Sequence, residues 1–347
     1  TTGTGTGGSS TGGDDSTSNI DISNLMNEDI YLGSYASNWL SEIQSHSLLT
    51  RHRRYSVFAS SSSGKQTLIC RYLCPQKPPP SLNIKTRRGC VHIVSMLPFL
   101  PDTQVALGDI DLWCTAKQTW DMGCGDEEEH AILLHNYLTY LATHNHTSST
   151  ATTTPGNGIG TTGRNRTDLI EIYIVLGKAI PEGANTVYIL LRDDNKSNKT
   201  SPPSSCQSFL LLNPCDGFVY SAADPNCPLQ HIHTVISSDN IYGNLQMHSK
   251  PCKLLYDITS NTANWRPFFG NRLEFPKTGL SSIQVPVEYI PTNPYYALDI
   301  EKAVLQAIKT SMRRWRSRRK SFATTFHPDV CATVQDILPM LEEWKKT

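Results

Sequence analysis

The first part of the chain passes from a polar stretch through a helical pattern to two strand-like runs. Residues 1–20 are almost entirely Thr, Gly, Ser and Asp, so they cannot bury enough apolar surface to offset chain entropy, and we expect them to be disordered. Between Leu25 and Leu49, apolar residues recur at helical spacing and predict one or two short helices. The apolar runs 55–59 and 67–73 predict two strands, joined by a hairpin turn at 60–66.

A long helix followed by three strands forms the predicted centre of the chain. The helix starts at about Asp126 and continues to Ala142, and one face of it is apolar: Ala131, Leu134, Leu138 and Leu141. Strand-like runs occupy 170–176, 187–191 and 209–212. This order predicts an α+β fold in which the helix packs on an antiparallel sheet.

Polar stretches of low complexity set the predicted domain organisation. Residues 143–168 are rich in Thr, Gly and Asn, and residues 193–206 are polar with two adjacent prolines, so we predict disordered insertions at both places. We predict four parts in chain order: a disordered tail at 1–20, a helical and hairpin segment at 21–84, a domain at 85–290 that contains both insertions, and C-terminal helices at 291–347.

Composition argues against several classes of function. The formal net charge is zero, with 31 basic and 31 acidic residues, so there is no overall attraction to nucleic acid. No apolar run approaches the roughly 20 residues of a membrane-spanning helix. The ten cysteines include no C-x-x-C pair, which argues against a structural zinc site and favours reduced thiols in a cytoplasmic protein. We predict no metal, no cofactor and no small-molecule substrate.

The start of the predicted long helix resembles an active site that has lost its nucleophile. In the papain-like and transglutaminase-like superfamily, a glycine lies two residues before the catalytic cysteine and a small residue lies four residues after it. Gly125 and Ala131 occupy these two positions here, but Glu127 lies at the position of the cysteine. A carboxylate cannot replace a thiolate in acyl transfer, because that role needs an activated sulfur nucleophile. The resemblance therefore implies a papain-like or transglutaminase-like fold without activity.

An ordered set of motifs resembles one family more specifically. The motifs are Gly125–Ala131, Gly177-Lys-Ala-Ile-Pro-Glu-Gly183, Asn213-Pro-Cys215, Cys227-Pro-Leu229, Asp239-Asn-Ile241 and Trp315-Arg-Ser-Arg-Arg319. They resemble the C-terminal region of the coiled-coil and C2 domain-containing protein 2A family, and the similarity begins near Thr67. The resemblance implies a non-catalytic scaffold at the ciliary base, in the transition zone, that supports cilium assembly and the diffusion gate. It also implies partners among the proteins of a tectonic-containing complex.

The resemblance further implies where the catalytic positions of an active enzyme would lie. Such an enzyme needs a thiolate at the helix N-terminus, a histidine on a strand and an Asp or Asn on the following strand. In this chain those positions are Glu127, Thr186 and Asn213, and neither Ala184 nor Asn185 beside Thr186 is a base. Only Asn213 is compatible with its catalytic role. We therefore predict vestigial positions and no enzymatic activity.

Two alternatives concern residues close to Glu127. The carboxylates of Asp126–Glu129 are favourable at a helix N-terminus, so they form either a helix cap or an acidic pocket that binds a partner. Cys124 is the alternative nucleophile, with His231 or His233 as its base. That second arrangement would make the chain an active cysteine peptidase or transglutaminase.

A basic cluster near the C-terminus predicts an interaction surface. The basic cluster comprises Arg313, Arg314, Trp315, Arg316, Arg318, Arg319 and Lys320, on a helix predicted from about 296 to 320. It is either a solvated helix end or a docking site for an acidic protein, a tubulin tail or an anionic membrane. The third function hypothesis is accordingly a basic module that binds membranes or tubulin.

Overall fold

The computed structural model describes residues 25–102, 111–148, 171–192, 204–290, 293–318, 324–334 and 337. The chain divides into two units between Glu288 and Tyr289. The predicted tail, residues 149–168 of the first insertion and residues 193–203 of the second lie outside the described residues. All ten cysteines are described, and none of them forms a disulfide. In the described parts of the chain, no helix is both long and apolar enough to cross a membrane.

Two helices lie where the helical spacing of the N-terminal segment predicts them. α1 spans Ile30–His46 and buries the apolar side chains of one face: Leu32, Ala36, Trp39, Leu40 and Ile43. α2 is a single turn, Leu48–Arg51, and Ser47 caps it by accepting a hydrogen bond from the Thr50 amide. The apolar face of α1 belongs to the core that also contains one face of the large sheet. The segment predicted at 21–84 therefore shares its core with the predicted domain.

A hairpin and one added strand form a small sheet. β1 (Phe58–Ser61) and β2 (Gln66–Leu68) are antiparallel neighbours, and β3 (Leu112–Trp113) pairs with β1 in parallel. The second strand, predicted to continue to residue 73, instead ends at residue 68 because Ile69–Tyr72 form a 3₁₀ turn. This turn places Arg71 in the interior, where its guanidinium lies 2.8 Å from the Asp29 carboxylate.

Three further helices precede the large sheet. α3 spans Arg87–Ser95, α4 spans Ala116–Met122, and α5 spans Glu127–Ser148, so α5 continues beyond its predicted end at residue 142. α5 packs against α3 and α4 as well as against two strands of the large sheet. The buried surface of α5 is consequently wider than the predicted stripe and also includes Ile132, Leu133 and Tyr137.

The large sheet has seven strands, and every pair of neighbours in it is antiparallel. Its order is β10-β9-β8-β4-β5-β6-β7. The strands are β4 (Ile172–Ala179), β5 (Gly183–Arg192), β6 (Phe209–Leu212), β7 (Val219–Ser221), β8 (Leu229–Ile236), β9 (Ile241–Asn244) and β10 (Trp265–Pro267). The α+β class and the antiparallel sheet beside the long helix are confirmed.

Both faces of the large sheet are buried. Ile174 and Ile189 belong to the core that contains α5, whereas Val175 and Leu190 belong to a second core on the opposite face. Trp265 is buried in that second core. Because alternate side chains of a strand point to opposite faces, two buried faces require nearly continuous apolar runs. This explains why β4 and β5 show no alternation of apolar and polar residues.

The second unit contains one long helix, α6 (Pro294–Arg318), and a further helical stretch at 328–334. The described side chains of α6 are almost all exposed, including large apolar ones such as Val304 and Ile308. Arg319 and Lys320, the last two residues of the predicted helix, lie outside the described residues.

Candidate functional site

α5 begins at a close backbone crossing that requires glycine. The Gly125 amide donates to the Pro98 carbonyl at 3.2 Å, and the Gly125 carbonyl accepts from the Leu100 amide at 2.8 Å. A Cβ atom at position 125 would lie 2.6 Å from the Cβ of Glu129. Packing alone therefore explains the glycine, which is the first residue of the motif that resembles an active site.

Two of the four acidic residues at this point cap the helix. Asp126 Oδ1 accepts a hydrogen bond from the Glu128 amide at 3.2 Å, and Glu129 Oε2 accepts one from the Asp126 amide at 3.1 Å. Both carboxylates thus accept hydrogen bonds from backbone amides at the helix N-terminus, which have no partner within the helix. Glu129 Oε1 also accepts from the Cys114 amide at 2.8 Å, which joins the start of α5 to the residue after β3. The cap interpretation accounts for Asp126 and Glu129.

Carboxylates near the start of α5 could also hold a cation. Oxygen atoms of Asp102, Asp126 and Glu129 lie within 4.8 Å of one another, as do those of Asp126, Glu127 and Glu128. Such oxygen donors suit Mg²⁺ or Ca²⁺. The hydrogen bonds of Asp126 and Glu129 to backbone amides explain the grouping of these carboxylates without an ion.

Asn213 and Glu127 both interact with the carboxylate of Glu182, Asn213 through a hydrogen bond and Glu127 through charge. Asn213 directly follows β6 and is buried, and its Nδ2 donates to Glu182 Oε1 at 3.2 Å and to Asp216 Oδ2 at 3.1 Å. Burial raises the pKa of Glu127, and the negative charges of Asp126 and Glu182 raise it further. The structure thus places two of the three predicted positions in one acidic neighbourhood.

Thr186 lies on the other face of β5. Val187 belongs to the core that contains α5, whereas Tyr188 belongs to the core on the opposite face of the sheet. Because side chains alternate along a strand, Thr186 points to the same face as Tyr188. Asn185 points the other way and lines a cavity at the start of α5. The structure therefore brings Asn185, and not Thr186, to the cavity at the start of α5.

This cavity has a volume of about 250 Å³, and we name it the α5 pocket. Polar side chains from distant parts of the chain line it: Arg54, Ser56, Ser60, Asp111, Glu128, Asn185 and His233. Arg54 Nη1 donates to Asn185 Oδ1 at 2.8 Å. Arg54 and Asp111 could not be predicted from the sequence, because neither lies in a motif and only the folded chain brings them to α5.

Burial shifts the ionisation of the side chains in the α5 pocket. It raises the pKa of the Glu128 carboxyl well above its ordinary value, and Asp111 and Asp126 raise it further. It lowers the pKa of His233 to about 4, with a smaller contribution from His231. His233 is consequently neutral at pH 7 and a weak base. Among the described residues, no serine or cysteine donates a hydrogen bond to its ring.

Two cysteines near the start of α5 are held as protonated thiols. Burial raises the pKa of Cys215, and the carboxylates of Glu127 and Glu128 raise it further. Burial and Glu129 together raise the pKa of Cys114 to about 12. A nucleophilic cysteine needs the opposite surroundings, in which positive charge or a helix N-terminus lowers the thiol pKa. The acidic residues at this helix start therefore suppress thiolate formation.

Cys124, the alternative nucleophile, bonds to backbone and not to a histidine. Its Sγ donates to the Met122 carbonyl at 3.6 Å. His231 and His233 lie on β8 with ring centroids 6.2 Å apart, and His231 Nδ1 bonds to Ser249 Oγ at 2.7 Å. Throughout the described ranges, no cysteine sulfur is hydrogen-bonded to a histidine ring.

The described part of the basic cluster is exposed at the end of α6. Trp315 is 55% exposed, and the four arginines on either side of it, Arg313, Arg314, Arg316 and Arg318, are exposed as well. Arg313 lies over the Phe326 ring, 5.2 Å from its centroid. Exposed apolar side chains precede the cluster along the helix: Ile300, Val304, Ile308 and Met312. α6 therefore combines an exposed apolar stripe with a basic end.

The region around α5 matches a known family of domains. The family model of the CEP76 peptidase-like domain matches residues 111–156 and 168–268. The matched residues include β3, α4, α5 and all seven strands of the large sheet. Glu127, Thr186 and Asn213 all lie within the match.

Two curated relatives are similar to most of this chain. Protein CC2D2B from Homo sapiens is 24% identical over 300 residues, which cover 84% of this chain and 18% of the relative. Coiled-coil and C2 domain-containing protein 2A from Drosophila melanogaster is 22% identical over 293 residues, which cover 82% of this chain and 19% of the relative. The chain thus spans about a fifth of the length of these relatives. These similarities confirm the predicted resemblance to the coiled-coil and C2 domain-containing protein 2A family.

Proposed function

We propose that this chain is a non-catalytic interaction domain with a degenerate papain-like or transglutaminase-like fold. The observation that carries this proposal is the chemistry at the start of α5. Glu127 lies where such enzymes have their cysteine, and the nearby thiols of Cys215 and Cys114 have raised pKa values. The order of α5 followed by β4, β5 and β6 supports the assignment of the fold, as does the match to a peptidase-like domain.

The proposed role is that of a scaffold at the ciliary base. The resemblance to the coiled-coil and C2 domain-containing protein 2A family supports a place in the transition zone, where the domain would bind proteins of a tectonic-containing complex. Through these contacts it would support cilium assembly and the diffusion gate. The chain spans about a fifth of the length of these relatives, so the proposed role is that of one domain within a longer protein.

Thiol labelling and activity assays test the loss of catalysis. We expect a thiol-directed active-site probe to leave the native chain without stoichiometric label at pH 7, and we expect no peptide hydrolysis and no amine incorporation. A Glu127→Cys variant should also show no turnover, because Thr186, at the predicted position of the histidine, cannot act as a base. The unfolded chain, with all ten cysteines accessible, is the positive control for labelling.

Stoichiometric labelling of Cys124 that requires the native fold, together with turnover, would instead establish an active cysteine peptidase or transglutaminase. Localisation is tested separately. A fluorescent fusion of the chain in ciliated cells should concentrate at the ciliary base beside a tectonic marker. A uniform cytoplasmic signal would contradict the scaffold role while leaving the loss of catalysis intact.

A second candidate function is membrane binding through α6. The exposed apolar stripe that includes Val304 and Ile308, followed by the arginines of the basic cluster, is the composition of a helix that lies in a membrane interface. Trp315, with its amphipathic ring, suits the same position. We propose an anionic membrane as the surface that α6 meets, and a tubulin tail is the alternative acidic partner.

A further inference from the structure

A larger cavity, separate from the α5 pocket, lies beside the middle of α5. Its volume is about 880 Å³, within the range of roughly 300–1,000 Å³ that ligand pockets occupy. We name it the acidic cavity. Its walls are His135 and Thr139 of α5, the start of β4, the turn between β8 and β9, residues of the segment 258–262, and residues of the segment 267–275 from the end of β10 onward. The α5 pocket and the acidic cavity share no lining residue.

The charged lining of the acidic cavity is negative. Three carboxylates line it, those of Glu171, Asp239 and Glu274, and no described lysine or arginine does. Glu171 is paired with Arg192 at 3.6 Å, but Asp239 and Glu274 form no ion pair with any described residue. Burial lowers the pKa of His135 to about 4, so this histidine is neutral at pH 7 and does not offset the carboxylates.

Four aromatic rings line the same cavity: Tyr173, Tyr242, Phe269 and Phe275. Phe269 and Phe275 pack edge to face, with centroids 5.3 Å apart. The pKa of Tyr173 is raised mainly by burial and further by Glu171, Tyr242 and Asp239, which places aromatic and acidic groups around a common space. The face of an aromatic ring carries partial negative charge and attracts cations.

We propose that the acidic cavity binds an arginine side chain from a basic peptide segment of a partner protein. A guanidinium group is planar, so it can pair with a carboxylate through its edge and stack on an aromatic ring through its face. Asp239 and Glu274 supply carboxylates without an ion pair among the described residues, and Asp239 Oδ1 accepts one hydrogen bond, from Ser237 Oγ at 2.5 Å. Phe275 supplies a partly buried ring at the same wall. This proposal does not depend on the loss of catalysis at α5.

Peptide binding to the full chain tests the proposal. The probe is a fluorescein-labelled hexa-arginine peptide, and its uncharged counterpart is the same peptide made of citrulline. We expect the double variant Asp239→Asn/Glu274→Gln to raise the Kd for the arginine peptide about tenfold, as expected for the loss of two partly exposed charge pairs. Asn and Gln keep the size and one acceptor oxygen of the side chains that they replace. The citrulline peptide should not bind measurably.

A matched variant separates the cavity from the general charge of the chain. Asp121→Asn/Glu288→Gln removes the same two charges at exposed positions outside the cavity and should leave the Kd within about twofold. Phe275→Leu keeps an apolar side chain without a ring and should weaken binding about threefold. The proposal is overturned by equal effects of the two double variants, or by equal binding of the arginine and citrulline peptides.

Discussion

Asp29 and Arg71 form a buried ion pair that joins the start of α1 to the turn after β2. Arg71 Nε lies 2.9 Å and Arg71 Nη2 lies 2.8 Å from Asp29 Oδ1. The Arg71 side chain is 4% exposed, and the Asp29 side chain is 0% exposed. Asp29 Oδ2 also accepts a hydrogen bond from the Leu68 amide at 2.9 Å. The Arg71 carbonyl in turn accepts one from the Ile283 amide at 3.1 Å. One pair thus connects three distant segments of the first unit.

Removing one partner of this pair should destabilise the fold strongly. Asp29→Ala removes the buried counter-charge of Arg71 and leaves it only the more exposed Glu28 carboxylate, 3.0 Å from Nη1. We expect the free energy of unfolding to fall by about 3 kcal/mol. Urea denaturation measures this change. The control is Asp121→Ala, which breaks an exposed pair with Lys117 and should cost about 1 kcal/mol or less. Similar losses for the two variants would contradict the structural role of Asp29.

Gly177 is required where β4 and β8 approach each other. A Cβ atom at this position would lie 1.9 Å from the His231 carbonyl oxygen, beside an irregularity in the pairing of the two strands. Gly177→Ala should therefore force the strands apart and reduce the free energy of unfolding by about 3 kcal/mol. Gly270→Ala is the control, because its nearest contact would be 3.3 Å from a side-chain atom of Pro267. A Gly177→Ala protein that melts like the parent would refute the close approach.

His135 should make stability depend on pH. Burial lowers its pKa to about 4, whereas an unfolded histidine has a pKa of about 6.5. Between these values the unfolded chain binds a proton that the folded chain does not. The contribution of neutral His135 to the free energy of unfolding is therefore fully present above pH 6.5, and it is lost as pH falls toward 4.

Replacing His135 isolates this contribution. His135→Gln should reduce the fall in unfolding free energy between pH 7 and 4.5 by about 2–3 kcal/mol. Urea titrations at several pH values measure it, and His92→Gln, at an exposed position, is the control for the loss of a surface histidine. Parallel profiles for the parent and His135→Gln would show that this histidine does not titrate with unfolding.

The basic cluster should bind anionic membranes through charge. Changing Arg313, Arg316 and Lys320 together to Glu should weaken binding to phosphatidylserine liposomes at least about tenfold at low salt, since each basic residue near such a surface contributes about 1 kcal/mol. The difference should shrink at high salt. The melting temperature should be nearly unchanged, because the two described arginines are exposed.

The control for this experiment makes the same change of charge in the first unit. Lys85→Glu, Lys277→Glu and Lys178→Glu together remove three exposed cations far along the sequence from α6. If the parent and the charge-reversed variant bind liposomes equally, the basic cluster is only a solvated helix end and not a membrane-binding site. Binding to tubulin but not to liposomes would identify the other acidic partner.

The sequence by itself determined the local elements and the chemistry at one position. The helical repeat from Ala131 to Leu141 and the apolar runs of β4, β5 and β6 predict their structures, because local periodicity reflects which side chains are buried. The predicted hairpin turn likewise lies between β1 and β2. The sequence also fixes a carboxylate, that of Glu127, two residues after Gly125 and four residues before Ala131. None of these inferences needs to know which strands are neighbours.

Only the tertiary structure decided which side chains meet at the start of α5. Sequence spacing alone does not tell which of Asn185 and Thr186 faces the α5 pocket, because a strand reverses the direction of its side chains at every residue and a shift of one position moves a residue to the other face of the sheet. The pairing of β8 with β4 brings His233 to the α5 pocket, and the hairpin segment brings Arg54 to Asn185. The raised pKa of Cys215 depends on burial and on carboxylates that are remote in sequence. Burial and long-range contacts set these properties, and a local pattern contains neither.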